Sequence, residues 1–217
     1  MIRSLDKGRL RFLRVWRLNP LRALGETAAA MALLVVFSPL MLVVAVAIRL
    51  ESKGPIVFRQ TRVGLRQEPF EMLKFRSMKV GSERQHRQLL EQQLTAGGSF
   101  LLHEPLDPRT TRVGRIIRKL SIDELPQLIN VIRGDMSLVG PRPMLPEEIE
   151  HLSDEQLRRF DVLPGVTGLA QVNGRSALGH SQYVEYDLHF VDSYSRKQYW
   201  SVILSTPFAV ISGRGAT

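Results

Sequence analysis

The chain has 217 residues, with 30 Lys plus Arg against 21 Asp plus Glu and a formal net charge of +9. Apolar residues make up 44 % and charged residues 24 %, a composition that supports a core and excludes disorder over the whole length. The absence of Cys excludes a disulfide framework, a Cys-ligated zinc or iron–sulfur centre and a catalytic thiol.

Residues 1–23 are basic, with Leu10, Phe12, Leu13, Val15, Trp16 and Leu18 interleaved, as expected of an interfacial segment on anionic lipid. From Ala28 to Ile48 the sequence reads AAAMALLVVFSPLMLVVAVAI, without a charge. About 20 such residues suffice to cross a bilayer. The run is too long and too late for a removable signal peptide. Ser38-Pro39 interrupts its middle, and a proline there removes a helix hydrogen bond and crowds the preceding turn. Both flanks are basic: Arg9, Arg11, Arg14, Arg17 and Arg22 before, Arg49, Lys53, Arg59 and Arg62 after. Orientation by positive charge needs an asymmetry between flanks. The expected arrangement is therefore a re-entrant membrane helix over 24–50, bent at Ser38 and Pro39, with both ends on the cytosolic side. A single Pro-kinked span is the alternative.

Residues 51–217 read as a cytosolic domain. IVFRQTRVG and PFEMLKFRSM, separated by Gly64 to Glu68, predict a β-hairpin. An insert near 82–104 is polar and holds isolated His86 and His103, with no metal-ligand spacing. LPQLINVIR has helical apolar spacing and stops at Gly134. GPRP at 140–143 is a rigid turn, PEEIEHLSDEQLRRF carries two helix starts, and LPGVTGLAQVNGRS reads as a Gly-rich loop. From Ser181 on the chain reads as helical, ending in an apolar patch, 200–211, that packs in the core or dips into the membrane interface. The fold class expected is α+β, mainly helical with a short β-hairpin, in a monotopic membrane protein.

Walker A, GxGxxG, GxSxG and kinase signatures are all missing. What remains is an acidic pair among many arginines, and guanidinium forks match phosphate oxygens. Asp123-Glu124 has two readings. One carboxylate attacks phosphorus or binds a metal while the other assists. Alternatively, Ser121-Ile-Asp-Glu124 is a capping box in which Glu124 reaches back to the Ser121 amide. Arg142, between two prolines, either shapes a turn or presents its guanidinium at a fixed position. Lys74 and Arg76 alternate with Phe75, which puts both cations on one strand face.

LKFRSM (73–78), RKLSIDELPQLINVIRGDMSLVGPRP (118–143) and LPGVTGLAQVNGRS (163–176) resemble the signature blocks of the bacterial sugar transferases, the monotopic polyprenyl-phosphate sugar-1-phosphate transferases. The resemblance runs from about Ala28 to the C-terminus, in a small form without the multi-span N-terminal region of larger members. It implies transfer of a sugar-1-phosphate from a UDP-sugar to undecaprenyl phosphate at the cytosolic face of the bacterial inner membrane, releasing UMP. This would be the first membrane step of exopolysaccharide or glycoconjugate synthesis. It further implies Asp123 as nucleophile, forming a covalent phosphosugar–enzyme, Glu124 as its partner, and Mg²⁺ held near Asp123. Lys74, Arg76, Arg118, Arg142, Arg175 and Asp187 would bind phosphate or substrate, Asp187 matching a further acidic position of the pattern.

One departure is Tyr199, which stands where the family usually has an acid. The partners implied are the UDP-sugar, undecaprenyl phosphate and inner-membrane lipid, with no nucleic acid; a homo-oligomer is left open, and so is the sugar. Two other functions compete: a membrane-tethered basic scaffold or nucleic-acid-binding protein, and a different lipid phosphotransferase that would release CMP.

Overall fold

The computed structural model describes residues 20–82, 109–174 and 178–212. The basic segment 1–19, most of the insert near 82–104 with both of its histidines, and Arg175 lie outside the described residues.

Helix α1 runs from Pro20 to Glu51 as one element of 32 residues, through Pro39. It begins before the 24–50 range drawn from hydropathy, because proline suits a first helical turn. Pro39 has no N–H to offer the Val35 carbonyl four residues back. The Ser38 hydroxyl donates to that carbonyl at 2.8 Å instead, so the Ser-Pro pair repairs the bond it breaks. The helix thus stays continuous through the Ser38-Pro39 pair.

One face of α1 packs on the rest of the protein. Ala30 joins Met72, Leu128, Val131 and Met136, and Val44 and Ile48 join Phe75 and Ile117. The opposite face leaves Val35, Val36, Leu42 and Val43 largely exposed.

The hairpin forms where the sequence predicts it. β1 (Val57–Val63) pairs antiparallel with β2 (Pro69–Phe75), from Val57 opposite Phe75 to Val63 opposite Pro69. Next come α2 (Arg112–Lys119), a 3₁₀ turn at Ile122–Glu124 and α3 (Gln127–Arg133). Gly134 closes α3 at φ +82°, a left-handed conformation that glycine adopts without strain.

A second sheet was not legible in the sequence. β3 (Ser137–Val139) runs parallel to β4 (Gly165–Thr167). Gly165 donates to the Pro141 carbonyl at 2.8 Å and Gly140 to the Thr167 carbonyl at 2.9 Å. A Cβ at Gly165 would strike the Gly140 backbone, so these glycines serve close approach and the Gly-rich stretch is not a free loop.

The remaining helices are α4 (Pro146–Ile149), α5 (Leu169–Asn173), α6 (His180–Asp192) and α7 (Arg196–Ile211), with a 3₁₀ segment at Gln156–Asp161. The 200–211 patch divides between a buried and an exposed face. Tyr199 and Val202 enter the core beside Val139 and Phe190, while Trp200, Leu204, Phe208 and Ile211 stay exposed.

Candidate active site

The acidic pair lies on a constrained turn. Thr111 caps α2 by accepting from the Gly114 amide at 2.9 Å. After α2 the chain turns through Ser121 at φ +54°, a conformation uncommon for a residue with a Cβ. This geometry overturns the capping-box reading. Ser121 makes no side-chain cap bond, and the Glu124 carboxylate accepts from Lys74 Nζ at 2.8 Å. Asn130 holds α3 to the hairpin: its side chain accepts from the Leu73 amide at 3.0 Å and donates to the Glu71 carbonyl at 2.7 Å. Lys74 and the acidic pair are thereby fixed against each other.

Asp123 is 8 % exposed. Burial pushes its carboxyl up to about 6, with Lys74 and Arg118 pulling it back and Glu124 pushing the same way as burial. Such a carboxylate is poorly solvated when ionised and still charged at neutral pH, which suits a nucleophile.

Arg142 faces the same cavity, held in quite another way. The buried Arg159 donates to the Arg142 carbonyl at 2.8 Å and forms an ion pair with buried Asp187. Asp187 in turn accepts from the Arg142 backbone, while burial pushes its carboxyl up to about 6 against the pull of Arg159. Arg62, also buried, donates to the Pro143 carbonyl at 3.2 Å, and burial lowers its pKa to about 10. Burial opposes the Arg142 cation as well, but Tyr183, Glu148 and Glu124 outweigh it and raise its pKa. The guanidinium lies 5.9 Å from the centre of the Tyr183 ring.

A cavity of about 2010 Å³ is lined by Lys74, Arg118, Asp123, Glu124 and Arg142, and also by Ala29, Leu33, Phe37, Trp200, Ile203 and Val210. Charged and apolar walls meet in one space. Arg76 reaches the lining, but its guanidinium donates to the carbonyls of Ser52 and Lys53 and the hydroxyl of Ser52, at 2.8–2.9 Å. It closes the C-terminus of α1. Asp187 is outside the lining and acts on Arg142 from behind. Sequence reasoning missed Arg62, Asn130 and Arg159; their roles are long-range, and no local spacing announces them.

Among the described residues no group of three or more His, Cys, Asp or Glu side chains could hold a metal. The pair Asp123–Glu124 still fits Mg²⁺, which takes one or two carboxylates together with substrate phosphates and water.

The bacterial sugar transferase family model matches residues 18–213. A Bacillus subtilis (strain 168) relative, described as uncharacterized sugar transferase EpsL, is 42 % identical over 175 residues, 81 % of this chain and 79 % of that protein. The UDP-glucose:undecaprenyl-phosphate glucose-1-phosphate transferase of Caulobacter vibrioides (strain ATCC 19089 / CIP 103742 / CB 15) is 42 % identical over 195 residues, 85 % of this chain and 67 % of the relative. A UDP-N-acetylgalactosamine-undecaprenyl-phosphate N-acetylgalactosaminephosphotransferase from Aeromonas hydrophila is 40 % identical over 197 residues, 88 % of this chain but 44 % of the relative. The scaffold reading of the basic charge gives way to an enzyme: the chain belongs to the bacterial sugar transferase family.

Proposed function

We propose that the protein transfers a sugar-1-phosphate from a UDP-sugar to undecaprenyl phosphate and releases UMP, working at the cytosolic face of the bacterial inner membrane. The observation that carries this reading is the buried carboxylate of Asp123, set between Lys74 and Arg118 in a cavity whose other walls are apolar faces of α1 and α7. A charged phosphate and a hydrocarbon chain need such walls side by side. Relatives named for this reaction in other bacteria support the same substrates.

In the first half-reaction a carboxylate oxygen of Asp123 attacks the phosphorus that bears the sugar. The bond from that phosphorus to the UMP oxygen breaks, and UMP leaves with the electron pair. In the second, a phosphate oxygen of the lipid attacks the same phosphorus and Asp123 departs as carboxylate. Lys74, held by Glu124, and Arg118 stabilise charge on the equatorial oxygens, and Arg142 orients the nucleotide side. Asp123 and Glu124 would hold Mg²⁺, which supplies neutralisation of the diphosphate.

The topology proposed is re-entrant. Residues before Pro39 (Ala30, Leu34) and after it (Met41, Val44, Ile48) pack on the same domain, which favours both ends of α1 lying on one side. The exposed Trp200, Leu204, Phe208 and Ile211 of α7 suit contact with the bilayer surface.

The test is UMP release from a panel of UDP-sugars given undecaprenyl phosphate and Mg²⁺, with Asp123→Asn alongside. UMP from one donor, lost in the variant, is expected. Release of CMP from a CDP-linked donor would replace this reading with a different lipid phosphotransferase.

A further inference from the structure

The only two acidic residues of α1 stand near its two ends, Glu26 and Glu51, and each is bonded to a different half of the active site. Glu26 accepts from the Ser137 hydroxyl at 2.7 Å and from the Leu138 amide at 3.4 Å. It also accepts from the Tyr199 hydroxyl at 3.0 Å and from Arg22 at 2.9 Å. Ser137 and Leu138 belong to β3, which runs directly into Gly140-Pro-Arg142.

At the other end, Glu51 accepts from the backbone amides of Arg112 and Val113, at 2.6 and 2.9 Å. These are the first amides of α2, the helix that carries Arg118 and leads into Asp123. One carboxylate of the apolar helix therefore grips the arginine strand, and the other grips the helix before the nucleophile.

We infer that Glu26 and Glu51 are positioning residues through which α1 sets the place of Arg142 and of the Arg118–Asp123 segment separately. Apolar packing fixes such a register poorly where the alternative surroundings of a side chain are lipid, because moving it from lipid to protein gains little. Directional bonds to a carboxylate specify position where dispersion does not. An acidic side chain next to an apolar run has a cost that these contacts offset. Glu51 is outside the cavity lining; Glu26 borders the cavity, but its carboxylate is taken up by Ser137, Leu138, Tyr199 and Arg22, so each acts through the element it holds.

The inference rests on the roles given above to Asp123 and Arg142, and it separates two kinetic parameters that a general loss of stability would not. With the UDP-sugar that the wild type turns over, chosen from UDP-glucose, UDP-galactose and UDP-N-acetylgalactosamine, Glu26→Gln should raise KM about tenfold with kcat within about twofold. Glu51→Gln should lower kcat about tenfold with KM within about twofold. UMP binding by calorimetry should follow the same division, weakened in Glu26→Gln and unchanged in Glu51→Gln.

If Glu26→Gln fails to fold, Ser137→Ala removes one of the two Glu26 contacts to β3, along with the hydroxyl's bond to the Val139 carbonyl, and should raise KM in the same direction by a smaller factor. Equal effects of both glutamate variants on the same parameter, or wild-type values in both, would overturn the inference. So would an unchanged KM in Ser137→Ala. A wild type that turned over no UDP-sugar and bound no UMP would instead count against the function proposed above.

Discussion

The two sides of the cavity are built on different principles. The carboxylate side is assembled from neighbours in sequence: α2, the left-handed Ser121, Asp123 and Glu124, with Lys74 reaching across from β2 to Glu124. The arginine side hangs on residues remote from Arg142 in the chain: Arg159, Asp187 and Arg62 hold the backbone around it through buried contacts. On the carboxylate side one buried carboxylate, Asp123, stands beside Lys74 and Arg118, with Lys74 held by Glu124. Where a substrate must be located, the protein fixes the backbone and leaves one guanidinium facing the cavity. Electrostatics dominate the first side, and rigidity the second.

The contrast breaks most sharply at Asp123. Asp123→Asn should lower UMP release by at least about 10³-fold. Its effect on stability should have the opposite sign. The folded-state pKa of about 6 lies above the ordinary 3.8, so the native protein holds this proton more tightly than the unfolded chain does. Ionising Asp123 then costs stability as pH rises from about 4 to about 6, by an amount of order 1–3 kcal/mol. The Asn variant should melt above the wild type at pH 7.5 and match it near pH 4, in paired thermal scans.

On the other side, Asp187→Asn leaves Arg159 buried without its counter-charge. That should cost about 3–5 kcal/mol, seen as a fall in Tm together with a raised KM for the donor. A fall in kcat alone would mean that Asp187 does not act through Arg142.

Lys74→Met sharpens the electrostatic side. Lys74 pulls the Asp123 pKa down, so the acid limb of UMP release, expected near pH 6 in the wild type, should move up by about one unit in the variant. An unmoved limb would separate Lys74 from Asp123.

Gly165→Ala tests the parallel pairing. Its Cβ would collide with the backbones of Gly140 and Thr167, so the strands must shift, at a cost of about 3 kcal/mol or more. Because the pairing next to Arg142 is disturbed, donor KM should rise while the pH limb stays in place.

This division also explains what could be read from the sequence. The hairpin, the stop at Gly134 and the acidic pair are local patterns, each within a few residues of its cause. The Glu124–Lys74 pair was within reach only as a shared cluster, and a local capping box competed for the same residues until Ser121 proved left-handed. Arg76 looked equivalent to Lys74 on one strand face, yet β2 ends at Phe75, and Arg76 turns to the C-terminus of α1. Asn130 bonds to Leu73, 57 positions away, and Arg159 to Asp187, 28 positions away. Partnerships of that separation leave no periodicity. Tyr199 looked like a gap in the family pattern; in the fold its hydroxyl bonds to Glu26 of α1 at 3.0 Å.

The central claim is covalent transfer through Asp123, and the most direct test omits the lipid acceptor. The enzyme would be mixed with Mg²⁺ and its UDP-sugar, quenched in acid and digested for mass spectrometry while UMP is counted. Covalent transfer predicts one UMP per active site and a sugar-phosphate mass on the peptide containing Asp123, lost on adding undecaprenyl phosphate. UMP formed only when undecaprenyl phosphate is present, with no adduct on that peptide, would contradict it.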